Sequence, residues 1–136
     1  MNLTNWEIIL RLCESSKDLL WTSESDYPFV VFLWELDQEI ELDIPTFLEL
    51  TKNPPDTSIK SLIFESFLAI AVTPKDWHDE RKEEEVKRYQ NLVAILEECL
   101  KDLRVYKIGE VTVDVYIVGT TPSGDLAGLS TVSIET

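Results

Sequence analysis

Helical spacing of apolar residues marks four segments of the chain. The first and last of them carry an apolar stripe on one face and charged side chains on the other, as amphipathic helices do. Thr4, with Glu7 three residues later, predicts a capping box at the start of the first helix, and Asn5 is the other candidate cap. In that helix the predicted buried stripe comprises Trp6, Ile9, Leu10, Cys13 and Leu20. The predicted helices are residues 3–20, 45–50, 63–71 and 79–103.

Runs of β-branched and aromatic residues predict four strands. Residues 29–34 are apolar almost throughout, which indicates a strand buried on both faces, whereas the polar residues 22–28 predict a loop. Alternation of Val and Ile with Thr, Asp and Tyr in residues 111–118 predicts one face that is more deeply buried than the other. Short turns join the last three strands, so we expect them to be antiparallel. The predicted strands are residues 29–34, 105–108, 111–118 and 126–134.

Helices before and between these strands predict an α+β fold in three layers, α/β/α. The length of 136 residues fits a single domain over residues 1–136 with an adequate core. No apolar run approaches the roughly 20 residues needed to cross a bilayer. No basic region precedes a hydrophobic one at the start of the chain, so we expect no secretory signal and a cytoplasmic location.

Acidic residues occupy every odd position from Glu35 to Asp43. In an extended strand they would form one anionic face, with neighbouring carboxylates about 6.5–7 Å apart, close to the phosphate spacing along a nucleic-acid strand. The favoured alternative is an irregular, solvated hairpin with a turn near Asp37 and Gln38, because a strand from Phe29 to Ile44 would be unusually long.

The charge balance narrows the range of partners. With 26 acidic and 12 basic residues, the formal net charge is −14. Such a surface repels nucleic acid and anionic membranes, so we expect neither as a partner. It is attracted to basic surfaces, including the clefts in which nucleases hold their substrates. The simpler alternative is that the charge only maintains solubility.

Catalytic motifs are missing from the sequence. One histidine, His78, cannot build a zinc site of several histidines, and the chain has no Gly-rich phosphate loop or nucleophile elbow. Residues 119–124 contain two glycines that fit a hairpin turn better than a nucleotide site. The acids of residues 76–85 could be imagined around calcium, but the start of a helix explains them better. We therefore predict a protein that is not an enzyme and that needs no cofactor or metal of its own.

The two cysteines, Cys13 and Cys99, lie far apart on predicted helices and lack the spacing of metal ligands. We expect two free thiols packed in the core. A disulfide remains the alternative, if the two helices bring the cysteines together.

Short segments along the chain, from SESDYPF at residues 23–29 to the final ET at 135–136, resemble the nuclease A inhibitor family in their order and spacing. The similarity starts near Trp21 and covers almost the whole chain, with nearly equal length. The segments that carry it are SESDYPF at residues 23–29, VFLWE at 31–35, TPKDW at 73–77, VYKIGEV at 105–111, DVY at 114–116, GTTP at 119–122, LAGLST at 126–131 and the final ET at 135–136.

This resemblance implies a three-layer α/β/α sandwich of the pathogenesis-related-1-like type, with a mostly antiparallel four-stranded sheet. It also implies inhibition of a magnesium-dependent, sugar-non-specific DNA/RNA endonuclease of the ββα-metal class, by a protein that we expect to be a monomer when free. The inhibitory surface of the family maps here onto a loop acid, the turn before the long helix, and the C-terminus. The implied contact residues are Glu24, Lys75, Asp76, Trp77, Glu135 and Thr136, with Thr136 approaching the metal of the nuclease.

Two features depart from the family pattern. The turn has Lys75 where the family has a neutral glutamine, and residues 35–43 are far more acidic. These departures keep open a second hypothesis, an acidic protein-interaction module of the same fold that does not inhibit a nuclease. Without the resemblance, Glu24 would be a solvated loop acid, and Trp77 could equally pack on the core. A third hypothesis, a small enzyme that uses His78, is disfavoured by the missing motifs.

Overall fold

The computed structural model describes residues 3–22, 24–36 and 43–135. Within these residues the chain forms four helices and seven strands. The helices are α1 (Asn5–Ser16), α2 (Ile44–Leu50), α3 (Phe64–Val72) and α4 (Glu80–Cys99). The strands are β1 (Leu20–Thr22), β2 (Asp26–Pro28), β3 (Val30–Trp34), β4 (Ile59–Ile63), β5 (Lys101–Ile108), β6 (Thr112–Thr120) and β7 (Leu126–Ile134).

The described strands form a five-stranded antiparallel sheet in the order β3-β7-β6-β5-β4, and a separate two-stranded hairpin, β1-β2. The last three strands of the chain are antiparallel neighbours, as their short turns predicted. The fold is α+β, but the prediction of a pathogenesis-related-1-like α/β/α sandwich with a mostly antiparallel four-stranded sheet is wrong, because the described main sheet has five strands. The additional strand is β4, which pairs with β5 through contacts such as Leu62 opposite Val105.

Short strands with mixed patterns account for the errors in the sheet. Strand β4 has only five residues, and its last residue, Ile63, was predicted to start the following helix. Strand β3 was predicted to be buried on both faces, but it lies at the sheet edge, where Val30 is 60% exposed. Residues 22–28 were predicted to be a loop, yet they include most of the β1-β2 hairpin. For β3 and β4, pairing with strands distant in sequence decides the structure, whereas β1-β2 is a local hairpin.

Helices cover the sheet unequally. On one face α1, α3 and α4 enclose the larger core, to which the sheet contributes Val113, Val115 and Ile117. On the other face α2 packs Phe47 and Leu48 against a smaller, aromatic-rich core. Burial in β6 follows the predicted alternation, since Val113 and Val115 are buried while Thr112 and Asp114 are exposed.

Helix α1 buries a different stripe from the predicted one. Ile8 and Leu12 are fully buried, whereas Trp6 is 68% exposed. Both stripes have helical spacing, so only packing on α4 and the sheet selects between them. Both cysteine thiols are free, but Cys13 is exposed because it lies off the buried stripe, and only Cys99 is in the core. Burial raises the pKa of the Cys99 thiol, which therefore keeps its proton.

Local capping signals are confirmed. Thr4 caps α1, where its side chain accepts from the Glu7 amide and the Glu7 carboxylate accepts from the Thr4 amide, so the capping box is complete. Asp43 caps α2 by accepting from the Thr46 amide at 2.9 Å. Helix α4 ends at Cys99 rather than at residue 103, because Leu100 is extended and leads directly into β5. The prediction for the acidic residues 35–43 falls mainly on residues 37–42, outside the described residues.

Asp125 links three separate parts of the chain. Its carboxylate accepts from the Leu36 amide at 2.8 Å, the Asn5 side chain at 2.8 Å and the Ser123 hydroxyl at 3.0 Å. The start of α1, the β6-β7 turn and the end of β3 therefore meet at one carboxylate. The Leu36 hydrogen bond, followed by those from Asn5 and Ser123, holds the pKa of Asp125 below its usual range.

We predict that Asp125→Asn lowers stability at neutral pH but not in acid. A lowered folded-state pKa gives stability that is present above the unfolded pKa and is lost as the pH falls below about 4. Wild type should therefore unfold at a higher urea concentration than the variant near neutral pH, and this difference should shrink in acid. Asp56→Asn, at an exposed loop acid, is the control. Equal midpoints for Asp125→Asn and wild type at neutral pH would contradict the prediction.

Candidate functional site

The β1-β2 hairpin carries Glu24 in its turn and is fastened to the body of the protein at several points. The Tyr89 hydroxyl of α4 donates to the Leu20 carbonyl, and the Thr131 hydroxyl of β7 donates to the Pro28 carbonyl at 2.9 Å. Burial raises the pKa of Tyr89, so its hydroxyl keeps the proton that it donates. Both strands of the hairpin are thus held, while Glu24 between them is exposed.

Trp21 supplies the apolar base of the hairpin. Its indole stacks on Phe67 of α3, with ring centroids 4.6 Å apart and an interplanar angle of 19°. Tyr89 and Phe29 meet the same indole edge-on, each at 6.5 Å between ring centroids. Such stacked and edge-to-face pairs add to the stabilisation from burial alone. These aromatic contacts therefore fix the hairpin on the body of the protein, while its turn residue Glu24 is exposed.

The turn between α3 and α4 carries the second group of predicted residues. At its start, Gln90 of α4 donates to the Val72 carbonyl at 2.9 Å, which ties the end of α3 to α4. Further on, the Lys75 amide donates to Nδ1 of His78 at 3.3 Å, and the His78 amide donates to the Lys75 carbonyl at 3.1 Å. His78 is half-buried and shapes the turn through these two bonds. Asp79 then caps α4 by accepting from the Lys82 amide at 2.8 Å.

A cleft of about 340 Å³ lies between the hairpin and the turn. Its walls are mostly apolar, and three of its lining side chains, Leu20, Ile70 and Trp77, are 43%, 75% and 79% exposed. Lys75 also lines the cleft, as does the ion pair between Lys82 and Glu85 at 3.3 Å. An apolar cleft with several charged groups at its rim is the usual form of a recognition site.

The C-terminal end of β7 does not line this cleft but is linked to the hairpin through side chains. The Glu135 amide donates to the Val111 carbonyl at 2.8 Å, and Lys107 Nζ lies 2.7 Å from Oε2 of Glu135. The Lys107 hydrogen bond lowers the pKa of Glu135, so the carboxylate stays ionised. Lys107 also lies 5.6 Å from the ring centroid of Phe67, the residue that supports Trp21.

The predicted site residues thus fall into three places. Lys75 and Trp77 line the cleft together with Trp21 and Thr22 of the hairpin. Glu24 lies in the turn of that hairpin and is not itself a lining residue. Asp76 is exposed in that turn. Glu135 belongs to the end of β7, linked to the hairpin through side chains, and Thr136 lies outside the described residues.

Sequence reasoning did not identify the supporting residues Trp21, Phe67, Tyr89 and Lys107. The alternation of Leu20-Trp21-Thr22 and Asp26-Tyr27-Pro28 around a short polar turn is a hairpin signal that could have indicated the first of them. The other three reach the site from α3, α4 and β5, and their spacing in the sequence contains no sign of that convergence.

The described residues contain no cluster of three or more His, Cys, Asp and Glu side chains that could hold a metal ion. In the acidic stretch considered for calcium, Asp79 caps α4 instead. Among the described residues, no helix is long and apolar enough to cross a bilayer.

Together these features define an acidic protein with an exposed apolar cleft between a hairpin and a turn. The sequence matches the family described as nuclease A inhibitor-like protein over residues 6–136, and the chain belongs to this family. No curated protein matches the chain closely enough to count as a relative. Membership implies the function of a nuclease inhibitor, and the family is one of inhibitors rather than enzymes.

We predict that the two tryptophans of the cleft differ in their effect on folding. Trp77 is 79% exposed, so Trp77→Ala should change the free energy of unfolding by less than about 0.5 kcal/mol. Trp21→Ala should cost about 3 kcal/mol, because it removes the stack on Phe67 and leaves a cavity. Urea denaturation followed by circular dichroism measures both. A large loss for Trp77→Ala would place that side chain in the core instead.

Proposed function

We propose that this protein inhibits a magnesium-dependent, sugar-non-specific endonuclease of the ββα-metal class by occupying its substrate cleft. The observation that supports the proposal is the exposed apolar cleft lined by Lys75 and Trp77, beside the hairpin whose turn carries Glu24, in a member of an inhibitor family. Glu24, Lys75, Asp76, Trp77, Glu135 and Thr136 form the proposed contact surface, and the free protein is a monomer found in the cytoplasm.

Each part of that surface suits a different task. The Glu24 carboxylate, held out by the hairpin, takes the place of a substrate phosphate in a basic cleft. Trp77 offers a large, rigid side chain whose exposed area becomes buried in the complex, as the dominant residues of interfaces do. The hydroxyl and carboxylate oxygens of Thr136 are hard donors, suited to approach a magnesium ion that belongs to the nuclease.

Lys75 gives the surface a distinct local charge. It lines the cleft in a protein whose net charge is −14. The global charge favours approach to a basic nuclease, whereas Lys75 requires an acidic or neutral group opposite the turn. Lys75 is therefore the residue that selects among related nucleases, and Lys75→Gln tests this selection against a panel of them.

The proposal is tested by titrating a magnesium-dependent ββα-metal endonuclease with the protein and following cleavage of plasmid DNA. We expect stoichiometric loss of cleavage by wild type. Glu24→Ala should weaken inhibition about 30-fold, as expected for loss of a buried charged contact worth about 2 kcal/mol. Deletion of Thr136 should weaken inhibition to a similar degree.

Glu14→Ala is the matched control, since it removes one exposed carboxylate from α1, outside the cleft. It separates a local contact at Glu24 from a change in net charge. Equal effects of Glu14→Ala and Glu24→Ala would contradict the proposed surface. No inhibition by wild type at micromolar excess would reject the inhibitor function for that target and favour the acidic interaction module.

Association with the nuclease should depend on salt. Because the net charge of −14 accelerates the approach to a basic cleft through long-range attraction, the association rate should fall steeply as the ionic strength rises. The dissociation rate should change much less, since contacts buried in the complex are poorly screened. Surface plasmon resonance over a series of sodium chloride concentrations measures both rates. A salt-independent association rate would exclude electrostatic steering.

A further inference from the structure

Lys107 on β5 touches both the C-terminal end of the sheet and the aromatic support of the hairpin. Its ammonium Nζ lies 2.7 Å from Oε2 of Glu135 and 5.6 Å from the ring centroid of Phe67. Phe67 in turn stacks on Trp21. One lysine therefore connects the last residues of the chain with the ring that carries the Glu24 hairpin.

The contact between Lys107 and Glu135 joins two strands that are not neighbours in the sheet. Strand β6 lies between β5 and β7, so the Lys107 side chain spans a whole strand to reach Glu135. On the backbone, the Glu135 amide is held by the Val111 carbonyl at 2.8 Å. That bond fixes the backbone, whereas the Glu135 side chain is restrained mainly by the Lys107 contact, with a further hydrogen bond from the Ser133 side chain. Lys107 is itself only 22% exposed, so its ammonium is partly removed from water at this position.

We infer that Lys107 is a positioning residue, which holds the Glu135 carboxylate in one place on the proposed contact surface for the nuclease. This inference rests on the proposed function. Holding the Glu135 side chain before binding reduces the entropy that is lost when it is ordered in the complex. The ring of Phe67 beneath the ammonium favours this arrangement through its cation–π attraction.

A competing explanation is that Lys107 acts only through its charge. Lys60 on β4 offers the matched control, because it lies directly opposite Lys107 in the strand register and is exposed. Its charge also acts on Glu135, but through space, whereas Lys107 makes the hydrogen bond. Lys60→Met and Lys107→Met therefore remove equal charge from neighbouring places, and only the second removes the contact.

The test compares Lys107→Met with Lys60→Met in two measurements on the full-length protein. In nuclease titrations, Lys107→Met should weaken inhibition about fivefold and Lys60→Met by less than about twofold. In a Glu135→Gln background, Lys107→Met should have little further effect, because the lysine acts through that carboxylate. In the free protein, amide hydrogen exchange at Glu135 should accelerate in Lys107→Met alone, while exchange at Leu129 in the middle of β7 stays unchanged.

The outcomes separate this inference from the proposed function. If wild type inhibits and the two lysine variants weaken inhibition equally, the positioning role is overturned and charge alone explains the effect. Unchanged exchange at Glu135, or faster exchange with unchanged inhibition, overturns it as well. If wild type inhibits no nuclease, the proposed function fails, and with it the role of Lys107 in binding, even where the exchange data still show the contact.

Discussion

The indole of Trp21 lies on the ring of Phe67 with 4.6 Å between their centroids, and four parts of the molecule meet at this pair. Trp21 belongs to the hairpin and Phe67 to α3. Tyr89 of α4 packs edge-on against Trp21, and Lys107 of β5 lies over the ring of Phe67. The contact surface therefore depends on an apolar contact beneath it. Its exposed residues can serve recognition because buried rings hold the elements that carry them.

Stability and recognition are divided between different side chains on the same elements. In the hairpin, Trp21 packs inward while Glu24 is exposed, and in α3, Phe67 packs inward while Ile70 is 75% exposed. This division leaves the exposed residues free to change without loss of the fold. Lys75 is such a residue, since its exposed side chain lines the cleft and contributes to the local charge there.

Charge acts at two scales in this protein. The net charge of −14 acts at long range and favours any basic partner, so it gives little discrimination among basic proteins. Individual charges near the cleft act at short range, where Lys75, the pair of Lys82 with Glu85, and the pair of Lys107 with Glu135 set a particular pattern. Discrimination among nucleases is therefore a matter of the local pattern, because only close charges distinguish one partner from another.

The sequence by itself determined the signals that are local in the chain. The Thr4 capping box, the core of α4, the alternation in β6 and the antiparallel order of the last strands all follow from spacing within one element or one turn. The order of short motifs identified the family and gave the candidate residues. Only the tertiary structure decided that Ile8 and Leu12 rather than Trp6 face the core. It also decided that β4 joins the sheet as its fifth strand and that Lys107 reaches Glu135 across β6. These features depend on contacts between residues distant in sequence, which no local periodicity encodes.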